Sequence, residues 1–282
     1  MTAVVVPAAI MGGVALFFGV VLALAYRFLR VEEDPRIDEV EGMLPGSNCG
    51  ACGQPGCRAF AELVCSGAEQ PGKCTVSSVD GITAIANYLG VEATIAERRT
   101  ARLHCAGGKS SVRRVAQYAG LDSCRAAVLV NGGATACAWG CLGLADCERA
   151  CTFDAIRMNG EDLPVVNPDL CTACNDCVEV CPRDLFTLMP VSQQLIVQCS
   201  SPLQGSAATE VCSVACDACG RCALDAKAGV IEMAGGLPRI RIPGETTVDA
   251  TFRCPTGAIQ WVSGPQFRGE SPAVDVGRRI RA

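Results

Sequence analysis

The stretch that most constrains this chain is Cys171-x2-Cys174-x2-Cys177-x3-Cys181, followed directly by Pro182. Thiolates at this spacing form the bacterial [4Fe–4S] run, in which the first three hold one cluster and the fourth reaches across to a second. Such a run predicts a mate, and one stands upstream as Cys137-x3-Cys141-x5-Cys147-x3-Cys151. CERACTFDAIRM at Cys147 matches CVEVCPRDLFTL at Cys177, with Thr152 in the place of Pro182. Two matched halves imply a pseudo-twofold fold with a short helix and a hairpin in each. Crossing the fourth ligands assigns Cys137, Cys141, Cys147 and Cys181 to one cluster. Cys151, Cys171, Cys174 and Cys177 then hold the other.

A different pattern opens the chain's first cysteine-rich stretch, where Cys49, Cys52 and Cys57 are spaced C-x2-C-x4-C among glycines. Glycine lets the backbone curl round an inorganic core and aim N–H groups at sulfur. A helix over Arg58 to Ser66 would then return the chain to Cys74 as fourth thiolate. Four thiolates also suit zinc, which is the competing reading here. At the other end, Cys216-x2-Cys219-x2-Cys222 repeats the three-ligand run, but Ala226 and Lys227 stand where Cys-Pro is expected. Downstream only Arg253-Cys254-Pro255 survives of a mate. In the crossed scheme both losses fall on the same cluster, so this copy keeps one site whole: Cys216, Cys219, Cys222 and Cys254. The competing reading is random decay that leaves no metal, since a three-plus-one set can arise by chance in so cysteine-rich a chain.

Of the 21 cysteines, these four sets use sixteen, leaving Cys65, Cys105, Cys124, Cys199 and Cys212. Buried free thiols behave as small hydrophobes, and that is the expectation for all five. Cys212, close before Cys216, is the weakest candidate for a substitute ligand. Acidic residues near the ligands (Asp146, Glu148, Asp176 and Glu179) would favour low potential, or else form a solvated helix face.

The remaining features bound the class. Met1 to Tyr26 holds no charged residue and is long enough to cross a hydrocarbon layer of about 30 Å. With no basic residue before it, and an apolar part too long for a signal peptide, it reads as an anchor. Arg27, Arg30 and Arg36 follow it, placing the rest on the cytoplasmic side of a cell (inner) membrane. In that reducing compartment thiols stay available as ligands. A net charge of -5 argues against nucleic acid as a partner, and the single histidine, His104, excludes a Rieske centre. GGKS at 107–110 lacks the first glycine of a phosphate loop and reads as a turn, and no G-x-G dinucleotide fingerprint is present. No substrate pocket with catalytic acid, base or nucleophile is indicated.

The expected architecture is a single transmembrane helix followed by small α+β iron–sulfur modules. The divisions are an anchor (1–28), a linker (29–47), a helical four-Cys [4Fe–4S] module (48–90) and a helical connector (91–130). A two-cluster ferredoxin-like domain (131–190), a degenerate ferredoxin-like module with one cluster (191–265) and a tail (266–282) follow. Helices are expected over Val79 to Leu89 and Val112 to Tyr118.

The uncharged N-terminal helix, the CGACGQPGC module with Cys74, the HCAGG and YAGLDSCRAA segments and the CLGLADCERACTFDAI run occur in this order over residues 1–190. Together they resemble the B subunit of the Rnf electron-transport complex, and the C-terminal part is similar to the extra ferredoxin-type modules of some members. The resemblance implies a subunit of a ferredoxin:NAD oxidoreductase that translocates Na⁺ or H⁺. This chain would pass electrons between soluble ferredoxin or flavodoxin and the membrane complex, while other subunits bind NAD and flavins. Two further readings stay open: a reducing system for an iron–sulfur transcription regulator, and a membrane-tethered metal module without redox turnover.

Overall fold

The computed structural model describes residues 2–29, 34–95 and 97–267. Arg30 of the expected cytoplasmic flank, and the expected tail from residue 268 onward, lie outside the described residues. Helix α1 (Thr2–Leu29) contains a span, Ile10–Phe28, with a mean hydropathy of 1.9 and none of it buried. Apolar side chains such as Met11 and Leu22 are 74% and 68% exposed. The helix is long and apolar enough to cross a bilayer.

Beyond it, α2 (Pro35–Met43) starts with Pro at its first position, and the Asp34 carboxylate accepts the Arg36 N–H. This is the cap expected of an aspartate before a proline-led helix. Helix α3 (Cys57–Cys65) and helix α4 (Val79–Leu89) match the helices expected there. In α4, Ser78 caps the first turn by accepting from Gly81 N–H at 3.1 Å, and Gly90 closes the last at φ +70°. Val40, Leu44, Phe60, Ala61, Val64 and Ile85 form the core between these three helices.

The next module is built from two antiparallel strand pairs. Strand β1 (Arg99–Leu103) will pair with a strand at the module's far end, and between them come α5 (Cys124–Leu129) and α6 (Asp146–Ala150). Strands β2 (Ile156–Met158) and β3 (Pro164–Val166) form a hairpin, with Ile156 opposite Val166. Helix α7 (Asp176–Val180) and strand β4 (Phe186–Pro190) close the module, with β1 and β4 in register from Arg99↔Pro190 to Leu103↔Phe186. Ala101, Leu103, Ile156, Leu163, Val166, Leu185 and Phe186 make the core. Fully burying each large apolar side chain contributes about 1.5–3 kcal/mol.

The same plan recurs once more. Strand β5 (Leu195–Val197), α8 (Gly205–Val211), α9 (Arg221–Asp225), the hairpin of β6 (Ile231–Ala234) with β7 (Leu237–Ile240), α10 (Asp249–Phe252) and β8 (Ile259–Trp261) follow in order. Here β5 pairs with β8 as β1 pairs with β4, and β6–β7 repeats the inner hairpin. Ala226, which replaces the fourth cysteine of the run, packs in one apolar cluster with Ala250, Val230, Ile231 and Ile259.

Two features depart from the expected helical connector. Strand β1 lies within it and supplies the outer edge of the first ferredoxin-like module. Residues 112–118 form no helix, because their backbone groups pair sideways: Val112 bridges Cys212, Arg114 bridges Thr135, and Val115 N–H donates to Ala134 carbonyl at 2.9 Å. At the C-terminal end, the buried Gln266 side chain pairs with both backbone groups of Leu103, at 2.8 and 3.0 Å, extending β1 without a strand.

Candidate iron–sulfur sites

Three of the short helices in the two ferredoxin-like modules, α6, α7 and α9, follow a residue in the left-handed region. Ala145 (φ 61°) precedes α6, Asn175 (φ 82°) precedes α7 and Gly220 (φ 72°) precedes α9. Within the C-x2-C loops, Ala173 (φ 59°) and Ala218 (φ 60°) occupy equivalent positions. Three residues beyond each fourth-ligand position the backbone again turns left-handed, at Asp154 (φ 54°), Asp184 (φ 49°), Gly229 (φ 80°) and Gly257 (φ 69°). Gly229 follows Ala226, so the worn copy keeps the loop even where it has lost the sulfur.

These loops aim backbone N–H groups at sulfur. Cys52 accepts from Gln54, Cys141 from Gly143, Cys174 from Asp176, Cys216 from Ala218 and Cys219 from Arg221, always the residue two places on. Such bonds favour a charged sulfur, which suits metal ligation.

The structure places two of the four expected sets each around one concavity. Cys151, Cys171, Cys174 and Cys177 line one concavity with Phe153, Ile156 and Leu188. Cys216, Cys219, Cys222 and Cys254 line another with Met233, Pro238 and Ile259. In the helical module, Cys52 lies within electrostatic reach of Cys49 and Cys74, and Cys57 begins α3 with its N–H donated to Asn48 Oδ1 at 2.8 Å. Cys65, at the far end of α3, lies instead near Asp34 and Arg36.

The remaining set differs from expectation. Cys141, Cys147 and Cys181 line a third concavity, and the fourth cysteine there is Cys124, not Cys137. Cys124 opens α5 and accepts from the N–H groups of Leu144 and Asp146. Asp146 fixes that corner: its buried carboxylate accepts from Ser123 Oγ (2.9 Å), Arg125 N–H (3.1 Å) and Arg149 Nη2 (2.6 Å). Burial pushes this carboxyl up, but those donors together hold it below the usual range. Asp146 is therefore a structural tie, not part of a solvated face. Cys137 points elsewhere, toward Cys105, Cys199 and Cys212. No spacing rule could place Cys124, since its partner residues come from a separate loop. The only sequence signal was that the HCAGG and YAGLDSCRAA segments each carry a cysteine.

The donor chemistry fits iron–sulfur clusters. Burial, then neighbouring thiols, push Cys141 and Cys177 up to about 12 and Cys216 to about 11, a shift that a bound cationic core would reverse by stabilising the thiolates. Among the described residues no three His, Cys, Asp or Glu side chains converge tightly enough to hold one metal ion. Thiolates of a cubane each bind a different iron and stand further apart than the ligands of a single zinc. The lone histidine is occupied structurally, its Nδ1 donating to Val197 carbonyl and its Nε2 meeting Thr187 Oγ1, both at 2.7 Å.

Fold and thiol arrangement define an iron–sulfur protein of ferredoxin type with an apolar N-terminal helix. Two family models agree: residues 44–76 match one described as "Putative Fe-S cluster", and residues 164–187 match a 4Fe-4S binding domain. The B subunit of the Na⁺-translocating ferredoxin:NAD⁺ oxidoreductase complex of Acetobacterium woodii is 39% identical over 77% of this chain and 65% of its own length. Its counterpart in the ion-translocating oxidoreductase complex of Methanosarcina acetivorans is 33% identical over 89% of this chain and 96% of its own length. The proton-translocating counterpart from Clostridium ljungdahlii is 34% identical over 96% and 97%. The chain belongs to the family of B subunits of Rnf-type ion-translocating oxidoreductase complexes.

Proposed function

We propose that this chain is the membrane-anchored subunit that relays single electrons between a soluble ferredoxin or flavodoxin and an ion-pumping membrane complex whose other subunits bind NAD and flavins. A [4Fe–4S] cluster supplies reversible one-electron transfer, at potentials set by hydrogen bonds to sulfur, charge and exposure. Cys49, Cys52, Cys57 and Cys74 would hold one, and Cys151, Cys171, Cys174 and Cys177 a second. Cys124, Cys141, Cys147 and Cys181 would hold a third, and Cys216, Cys219, Cys222 and Cys254 another.

The observation that carries this reading is that the sets adjoin. Thr75, next to Cys74, donates its hydroxyl to the carbonyl of Thr172, next to Cys171, at 3.0 Å. Cys177 and Cys147, from the next two sets, share one core. A scaffold that merely held metal would have no need of adjoining sites. The proposed membrane anchor, α1, would keep the relay at high effective concentration beside its partners, with the cysteine-rich modules on the cytoplasmic side. Anaerobically purified chain, titrated under EPR, is expected to show cluster signals that reduce in the range of low-potential ferredoxins, about −400 mV. Stoichiometric zinc with no reducible signal would overturn the proposal.

A further inference from the structure

Four cysteines that lie outside the regular runs, or are displaced from them, meet in the interior. Cys105, Cys137, Cys199 and Cys212 are each at most 9% exposed. They come from four separate segments brought together by backbone pairing. Ala106 N–H donates to Gln198 carbonyl at 3.0 Å, Val112 bridges Cys212, and Ala136 N–H donates to Arg113 carbonyl at 2.8 Å. A β-carbon on Gly107 would stand 3.0 Å from the Cys212 sulfur and 3.6 Å from that of Cys105. One on Gly140 would stand 3.3 Å from the Cys137 sulfur and 3.9 Å from that of Cys105. Glycine is what lets the backbone close on these sulfurs, which gives the GGKS turn a reason its sequence did not show.

Three of these thiols also share a feature of several assigned ligands. Cys105 accepts from Gly107, Cys137 from Trp139 and Cys212 from Val214, again the residue two places on. Cys105 and Cys212 each sense Cys137 electrostatically, and both Cys137 and Cys212 sense Cys199. The chemical environment of a buried hydrophobe would need no N–H aimed at sulfur. Cys65, the one cysteine left over, has none.

We infer that Cys105, Cys137, Cys199 and Cys212 form a further [4Fe–4S] site, one that bridges the first ferredoxin-like module to the C-terminal copy. Its position supports this, on the relay reading above. On one side Cys141 N–H donates to Cys105 Sγ at 3.3 Å, joining it to the Cys124 set. On the other, Cys199 packs in one core with Cys216 of the C-terminal set. Without this site, no thiolate set among the described residues would stand between the C-terminal set and the others. With it, five sets form an unbroken line from the helical module to the C-terminal copy.

The test is metal content of the full chain, purified and handled anaerobically. Wild-type protein is expected to hold about 20 iron and about 20 acid-labile sulfide per chain, all in cubane form by Mössbauer spectroscopy. Cys199→Ala and Cys212→Ala should each lose about four irons, whereas Cys65→Ala should lose none. Wild-type protein with about 16 iron would overturn the additional site and leave the relay reading standing; so would unchanged iron in both variants, or zinc at one per chain beside about 16 iron. Because the wild-type count decides the matter alone, misfolding of a variant does not leave it open. A chain with no cubane iron at all would remove the relay reading itself.

Discussion

At the level of single residues, Cys124 and Arg183 carry the sharpest consequences. Replacing Cys124 by Ala should remove one cluster, read as a loss of about four irons with the other signals intact, because it is the fourth corner of the set with Cys141, Cys147 and Cys181. Full iron retention would return that corner to Cys137. Arg183 donates from Nη1 to the carbonyls of Cys137 (2.7 Å) and Gly140 (3.0 Å), and from Nη2 to that of Gly132 (2.8 Å). Its half-buried charge sits between two thiol sets. Arg183→Met should destabilise the loaded chain by on the order of 2–3 kcal/mol in thermal unfolding, since it strips three carbonyls of a charged donor. It should also make the neighbouring signals harder to reduce in a potentiometric titration, because a nearby positive charge favours the added electron. Arg183→Lys, keeping the charge but not the fork, should preserve the potentials better than the stability. The three cysteines of each C-x2-C-x2-C run, Cys171 to Cys177 and Cys216 to Cys222, line one concavity apiece, because such runs are local and a loop's curvature is set by its own residues. Cys137 and Cys124 were misgrouped because a cysteine's partners across separate loops depend on tertiary packing, which spacing does not encode.

Among the elements, the ligand loops show how much of the fold is written locally and how much is imposed. The capped helices α3 and α4 were legible from glycine, serine and apolar periodicity. The left-handed alanines were not, since alanine gives no hint that its backbone has been forced to positive φ. At Ala173 that conformation costs about 1 kcal/mol or more relative to glycine. Ala173→Gly should therefore raise the loaded chain's stability by about 0.4–1 kcal/mol, and Ala173→Val should lower it and reduce iron loading. Thermal unfolding and iron content of the two variants give the comparison, and equal stability would show that the loop relaxes without strain. The segment 112–118 illustrates the opposite failure. Its apolar pattern suggested a helix, but bridges to Thr135 and Cys212 satisfy its backbone from two sides and hold it extended.

For the molecule as a whole, the repeat visible in the cysteine runs proved to be a repeat of topology. An outer strand pair encloses an inner hairpin in both halves, and the second half keeps its turn at Gly229 although Ala226 has replaced the ligand. The odd total of 21 cysteines then divides into five sets and one remainder, Cys65. This order also makes an expectation about coupling: loss of the set containing Cys105 should isolate the C-terminal set from electrons entering at the helical module, while leaving its own signal reducible by a small chemical reductant. The proposed relay is tested most directly by mixing the anaerobic, fully loaded chain with reduced ferredoxin and freeze-quenching for EPR. Signals from the chain should grow in within the mixing series, and in the Cys199→Ala variant the C-terminal signal should lag or stay absent. A chain that remains oxidised against excess reduced ferredoxin, while dithionite reduces it, would contradict a role as ferredoxin's partner.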